Sequence, residues 1–274
     1  VIISGNPFAN FDFAAFAQAR WGARVVLDYR DPFALNPRFK YSAEARSSVT
    51  SIEAGYNFQA DLILAVNNEC AQLVVGHEEH RTAVVPNGFD DRIAATVTPA
   101  ALGDGRINFV HAGSFYYYGN VDDLLGALDP RRHCLHHVGR APEFAPAMLE
   151  SGRLQLHGLQ PYPTALSIVA GADCGLVFLT DSGFESTTKI FDYLCFDLDV
   201  LVLSPDDTPR GPLSEFGAAG GKLHWVKNTP EALSRFLASY TPSPRRAGFG
   251  ERYSRATSAR HLLGLLGVSG DGAQ

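Results

Sequence analysis

Ile107-Asn108-Phe109-Val110-His111-Ala112 is a short apolar run that stops at Gly113-Ser114, and an amphipathic stretch follows at 120–128. A run of that length, bounded by glycine and followed by a helix-period stretch, is a strand buried on both faces with a helix laid over it. The same alternation recurs downstream at 134–138, 154–157, 174–179, 199–203 and 223–226, and upstream at 1–4, 24–29, 61–66 and 82–85. Further helices are expected at 42–58, 162–171, 187–196, 229–240 and 249–266. This rhythm specifies an α/β fold of parallel sheets with helices on both faces.

From Ile107 onward the pattern supplies six strand–helix units, enough for one complete doubly wound domain. Val1 to Gly88 supplies only four strands. Pro86 to Gly105, with Asn87-Gly88 and a second proline at Pro99, reads as a linker. The expected division is 1–95, 96–250, and a final helix with a polar tail at 251–274. The chain opens on Val1, inside a strand-like run, and the first domain is expected to be incomplete at its N-terminal side.

Composition narrows the function. Apolar residues make up 46% and charged residues 19%, a globular balance that supports a sizeable core. A net charge of −6 argues against nucleic acid as a partner. No apolar run reaches the roughly 18–20 residues of a membrane span, and no signal peptide is visible. Cys70, Cys134, Cys174 and Cys195 lie far apart in apolar runs, the pattern of buried free thiols in a reducing compartment.

Ligands of open parallel sheets bind beyond the carboxyl ends of the strands. Strand 24–29 runs into Asp28-Tyr29-Arg30-Asp31. Two readings stand there: an ion pair that shapes the turn, or a polar wall of Asp28 and Asp31 for sugar hydroxyls. Strand 107–112 is followed by Gly113-Ser114-Phe115-Tyr116-Tyr117-Tyr118-Gly119-Asn120. The glycine admits a ligand close to the backbone, and Tyr116 offers a stacking surface or a packing one. Strand 134–138 is followed by Gly139-Arg140, an arginine placed to pair with a diphosphate or simply a surface charge. The sharpest feature is Gly183-Phe184-Glu185-Ser186-Thr187-Thr188-Lys189-Ile190-Phe191-Asp192. Ser186 or Thr187 would cap a helix whose first amides favour phosphate. Lys189 lies in its first turn and Asp192 at i+3 on the same face, set to accept bonds from a ribose diol. The plainer alternative is a capped helix with an ion pair. His133, His136 and His137 share a strand, but His136 points away from the other two, which is poor metal geometry. His111 ends its strand near the glycine turn. No G-x-G-x-x-G, P-loop, G-x-S-x-G or H-E-x-x-H occurs.

Taken in order, five stretches resemble GT-B glycosyltransferases, specifically the retaining family 4 and its relatives. They are Leu27–Phe33, Glu53–Val66, Val85–Asp90, Phe109–Leu128 and His157–Leu201, the last with Lys189-Ile190-Phe191-Asp192-Tyr193-Leu194. The resemblance implies two doubly wound Rossmann-like domains facing a cleft. The acceptor domain is the partial first one, the second binds the nucleotide sugar, and the last helix crosses back to brace the first. It implies transfer of a sugar from a nucleotide-diphosphate donor to an acceptor hydroxyl with retention, no cofactor and no metal. It carries the ribose-holding glutamate of the family onto Asp192, and the first glutamate of the same pair onto Phe184, where no carboxylate stands. No Lys or Arg follows the first strand of the second domain, so diphosphate binding is assigned to Lys189, Arg140 and backbone amides. Gly113, Ser114, Tyr116, Ser186, Thr187 and Thr188 complete the donor site. The acceptor is expected to be a sugar, a lipid-linked sugar or a small molecule, in the cytoplasm, with membrane contact left to a segment preceding Val1. The rival readings are a catalytically inactive sugar-nucleotide-binding partner subunit and a nucleotide-sugar epimerase.

Overall fold

The computed structural model describes residues 1–78, 81–103, 105–115, 121–179, 183–184 and 187–268. They form two compact units. The first holds Val1–Pro86 with Gly183 and Phe184, and the second holds the other described residues from Asn87 on.

In the first unit β1 (Ile2–Ser4), β2 (Val26–Tyr29), β3 (Leu62–Ala65) and β4 (Thr82–Val84) pair in parallel in the order β1-β2-β3-β4. Ile3, Leu27, Ile63 and Thr82 stand side by side across the sheet. Every residue of β2 and β3 is buried; β3 is apolar throughout, and β2 is broken only by Asp28 near its carboxyl end. Because the order advances in one direction, right-handed crossovers bring α1 (Phe13–Trp21) and α2 (Ala43–Phe58) to the same face. Phe11, Ala14, Ala17 and Tyr56 accordingly pack on Ile3, Leu27, Tyr29 and Ile63. A buried carboxylate pins the surrounding loops. Glu53 of α2 accepts the amides of Ala34 at 2.7 Å and Val75 at 3.1 Å. Burial pushes its pKa up, and those two bonds pull the other way. Helix α3 (Asn68–Gln72) starts on Asn67, whose side chain accepts the Cys70 amide. Asn67 also donates to the Phe184 carbonyl at 3.1 Å, and the Phe184 ring is buried with Ala65, Val66 and Cys70.

The second unit contains, among the described residues, six strands. They are β5 (Ile107–Ala112), β6 (His133–Val138), β7 (Leu154–Gly158), β8 (Cys174–Phe178), β9 (Asp199–Ser204) and β10 (Leu223–Lys227). They run in parallel in the order β7-β6-β5-β8-β9-β10. The winding reverses between β5 and β8, so helices cover both faces. Side chains alternate accordingly. Val110, Val138, Val177, Val200 and Val202 face α7 (Tyr162–Gly171), α8 (Lys189–Cys195) and α9 (Pro212–Ala218). Phe109, Leu135, Leu176, Leu201 and Leu203 face α5 (Val121–Ala127) and α10 (Pro230–Ser239). Each fully buried leucine or valine contributes about 1.5–3 kcal/mol, and the sheet is held from both sides.

Two stretches differ from the sequence expectation. Residues 87–100 are not a loose linker. Phe89 forms a parallel bridge with Ser254, and α4 (Asp91–Ala94) is capped by Asp90. The Ala100 amide then bonds to Ser167 O at 2.9 Å. A Cβ at Gly171 would lie 2.3 Å from Ala100 O, so this strap is packed down on α7. The expected helix 249–266 is broken at Ser254 into a 3-10 turn, Phe249–Tyr253, and α11 (Arg255–Leu266). Ser254 is in extended conformation and caps α11 by accepting the Thr257 amide, which sets the break. A short helix α6 (Pro146–Glu150) precedes β7. All four cysteines are free, and no helix among the described residues is long and apolar enough to cross a membrane.

Candidate functional site

The reversal between β5 and β8 splays the loops that leave their carboxyl ends, and crevices at such points take ligands. Gly113 follows β5 at φ +113° and Gly139 follows β6 at φ +138°. A Cβ on Gly139 would lie 2.1 Å from Gly113 O, so the two turns touch backbone to backbone. The Gly113 amide donates to Val138 O at 2.7 Å and fixes that approach. A Cβ on Gly113 would in turn lie 2.8 Å from Lys189 Cε. The lysine stem therefore lies against the bare face of the Gly113 turn, in the space a Cβ would take, and a side chain there would displace it.

Lys189 is placed by α8, and α8 by Tyr193. The Tyr193 hydroxyl donates to Leu176 O of β8 at 3.2 Å and accepts the Ala112 amide of β5 at 3.3 Å. It thereby ties the two strands at the reversal. Gly175 makes room for its ring, since a Cβ there would meet it at 2.4 Å. Tyr193 is four residues beyond Lys189, so both project from one helical face. Burial lowers the Lys189 pKa.

Aromatic rings line the same corner. Phe115 stacks on His111 at 4.3 Å and on His137 at 4.1 Å. His111 Nδ1 is 3.1 Å from His137 Nδ1, and His137 Nε2 is 3.1 Å from the Arg140 carbonyl. Burial holds His111 well below the ordinary histidine range, with Lys189 and His137 adding to the effect. His137 is pulled down to about 4, chiefly by burial. Both shifts favour the neutral imidazole.

Of the residues singled out from sequence, Gly113, Ser114, Lys189 and the Arg140 backbone come together at the reversal, with Thr187 and Thr188 just ahead of Lys189. The Arg140 side chain is exposed. Asp192 lies a turn on and accepts the Tyr162 hydroxyl at 2.8 Å. Burial raises its pKa, and Tyr162 and Arg255 oppose the rise. Tyr116 and Ser186 lie outside the described residues. The capping expectation at Ser186 or Thr187 is corrected. Helix α8 begins at Lys189, and its N-cap Thr188 has helical backbone angles and makes no side-chain cap bond. The Ile190 and Phe191 amides bond to Thr187 O and Thr188 O, which leaves fewer amides for an anion. In the first unit Asp28 is buried and accepts from Ser4 Oγ at 2.8 Å and Arg30 Nε at 2.9 Å. That is the ion-pair reading of the turn. Its Oδ1 is nevertheless buried without a hydrogen-bond partner, and Asp31 is half-exposed. Sequence reasoning missed Tyr162, Tyr193 and the Gly113–Gly139 contact. Only the spacing of Tyr193 from Lys189 carried a signal. Among the described residues no three His, Cys, Asp or Glu side chains gather as metal ligands. An open groove of about 770 Å³ between the Phe89–Ala95 strap and α11 includes none of these residues.

No protein-family model and no curated protein matches the sequence. Solved structures do match it. The chain is similar to Anabaena Alr3699/HepE in complex with UDP, at 14% identity and a TM-score of 0.66, over 98% of this chain and 79% of that one. It is similar to a sucrose-phosphate synthase from Thermosynechococcus elongatus, at 14% identity and a TM-score of 0.67, over 97% and 72% of the two chains. It is also similar to an α,α-trehalose-phosphate synthase (UDP-forming) from Burkholderia vietnamiensis, at 12% identity and 0.62, over 98% and 72%. At such identities the likeness is one of fold. With the two parallel-sheet units, it establishes the GT-B fold that the motifs led us to expect.

Proposed function

We infer that the chain is a glycosyltransferase that moves a sugar from a nucleotide-diphosphate donor to an acceptor hydroxyl. The observation that carries this reading is the Lys189 side chain folded over the Gly113 turn at the reversal of the second sheet. A cation beside bare backbone at such a crevice suits a diphosphate. Breaking the bond from the anomeric carbon to the diphosphate leaves an oxocarbenium-like sugar and a growing negative charge on phosphate oxygen. Fixed cations and amides that meet that charge lower the barrier. Lys189 and Arg140 are assigned this role, with Gly113, Ser114, Thr187 and Thr188 holding the phosphates and Asp192 the ribose. Tyr116 and Ser186 keep the roles their positions imply. Asp28 and Asp31 are assigned to the acceptor hydroxyl. The resemblance implies retention and no metal, and free thiols fit the cytoplasm.

The neighbouring HepE structures hold UDP, and UDP with glucose, so a uridine nucleotide is the first donor to try. Lys189→Ala should cut transfer by roughly 10²–10³-fold with the fold intact. Full activity in that variant removes Lys189 from the mechanism. One observation favours a second reading. Phe184, where the resemblance places a carboxylate, is buried in the first unit beneath Arg38, whose guanidinium lies 5.1 Å from the ring centroid. A chain without that carboxylate can bind a sugar nucleotide as a non-catalytic subunit, and any transfer product rejects this alternative.

A further inference from the structure

We propose that the solvent face of α1 docks on the surface of an anionic phospholipid bilayer. The helix reverses the usual arrangement, in which the large apolar side chains face the core. Ala14 and Ala17 are fully buried, whereas Phe13, Phe16 and Trp21 are 42%, 51% and 56% exposed. Gln18 Nε2 donates to Gln59 O at 2.7 Å, and Ala14 and Ala17 pack in the core with Phe11 and Leu27, so the roll of the helix is fixed. The three exposed rings pack on one another. Their centroids are 5.3 Å apart for Phe13 and Phe16, 5.7 Å for Phe13 and Trp21, and 5.4 Å for Phe16 and Trp21. The surface is therefore formed before a partner arrives, which lowers the cost of binding. An exposed apolar patch of this kind marks an interaction site.

Charge selects the occupant. The other exposed residues between Phe13 and Arg24 are Ala15, Ala19, Arg20, Gly22 and Arg24 itself. No Asp or Glu lies in that stretch, in a chain whose net charge is −6. The nearest acid, Asp12, accepts a hydrogen bond from the Tyr56 hydroxyl. Phe13, Phe16 and Arg20 recur at i, i+3 and i+7, so the first arginine stands in line with the rings. A second copy related by a two-fold axis would set this patch against itself. The arginines of both copies would then gather with no carboxylate to answer them. An anionic lipid surface meets both demands. The rings enter the boundary between headgroups and acyl chains, and Arg20 and Arg24 face lipid phosphates. The contact is peripheral and reversible, since three rings and two cations fall far short of a spanning helix. It does not depend on the glycosyl-transfer reading.

Vesicles of phosphatidylcholine alone and of an equimolar phosphatidylcholine–phosphatidylglycerol mixture provide the test. Binding of the whole unmodified chain is read by co-sedimentation. Insertion is read by fluorescence of a Trp225→Phe variant, in which Trp21 is the only tryptophan. We expect binding to the anionic vesicles, a blue shift of Trp21, and quenching of Trp21 by brominated acyl chains. Phe13→Ser combined with Phe16→Ser should weaken binding by roughly tenfold or more. Arg20→Gln and Arg24→Gln should each weaken it about fivefold. All four positions are exposed, and an unchanged urea midpoint shows that the variants keep the fold. Leu159→Ser removes an apolar side chain of the second unit that is 71% exposed, and should leave binding as it was. Equal binding to the two kinds of vesicle overturns the proposal. So does a loss in Leu159→Ser that matches the loss in the phenylalanine variant. A Trp21 shift that grows with protein concentration in the absence of lipid assigns the patch to a second copy and overturns it. Trp21 emission that anionic vesicles leave unmoved also overturns it.

Discussion

Gly139→Ala tests the construction of the site at its tightest point. The added Cβ would lie 2.1 Å from Gly113 O and 2.7 Å from Gly113 C, which are backbone atoms that no rotamer change can move. Van der Waals contact needs a shift of roughly 1 Å, and the Gly113 turn is held by its 2.7 Å bond to Val138 O. The φ of +138° adds a conformational cost of its own. Strain of about 1–3 kcal/mol in the backbone and a further ~1–3 kcal/mol from overpacking give a loss of about 2–6 kcal/mol. The two tryptophans make the measurement selective, since Trp21 lies in the first unit and Trp225 in the second. In a Trp21→Phe background, urea unfolding followed by Trp225 fluorescence reads the second unit alone. Gly126→Ala is the control, because Gly126 lies inside α5 with no atom near its missing Cβ. That change should stabilise by roughly 0.5–1 kcal/mol. A Gly139→Ala variant that loses less than about 1 kcal/mol would refute the backbone contact, and with it the geometry that seats Lys189.

Two further outcomes follow from the same unit. His137 has a folded pKa of about 4 against an ordinary 6.5, so the unfolded chain binds the extra proton between those values. Its contribution is complete above about pH 6.5 and is lost as pH falls toward 4, a change of about 3 kcal/mol. Trp225 unfolding midpoints should fall over that window, and His137→Gln should flatten the slope; a flat wild-type profile contradicts the neutral pair. Tyr162→Phe removes the hydroxyl that Asp192 accepts and should cost about 1.5–3 kcal/mol at pH 7, with weaker nucleotide binding by calorimetry. Unchanged affinity would separate Asp192 from the ribose.

Much of the fold was legible because buried parallel strands are apolar on both faces. All ten described strands overlap the runs expected from the sequence, from β1 (Ile2–Ser4) in 1–4 to β10 (Leu223–Lys227) in 223–226. The Lys189 and Gly113 signals were also readable, as a cation in a first helical turn and a glycine after a strand. The contact between them was not, because 76 residues of chain separate two positions that only the sheet order joins. Tyr193 looked like ordinary core, and its hydroxyl shows its purpose only once β5 and β8 are neighbours. The 87–100 strap misled because Asn-Gly and proline mark turns whether or not the turn is packed. His137 was weighed only as a metal ligand, since strand alternation says which face a ring takes and nothing about the ring on the next strand.

Binding of nucleotides to the wild-type chain and to Lys189→Ala bears most directly on the central claim. A panel of nucleoside diphosphates and their sugars, begun with UDP and UDP-glucose, is titrated by calorimetry and thermal shift at fixed salt. A nucleotide that binds the native state raises the midpoint by mass action. The account predicts that at least one diphosphate does so for the wild type, and that Lys189→Ala weakens it tenfold or more. Wild type that binds no member of the panel, or a Lys189→Ala variant that binds with full affinity, would contradict it.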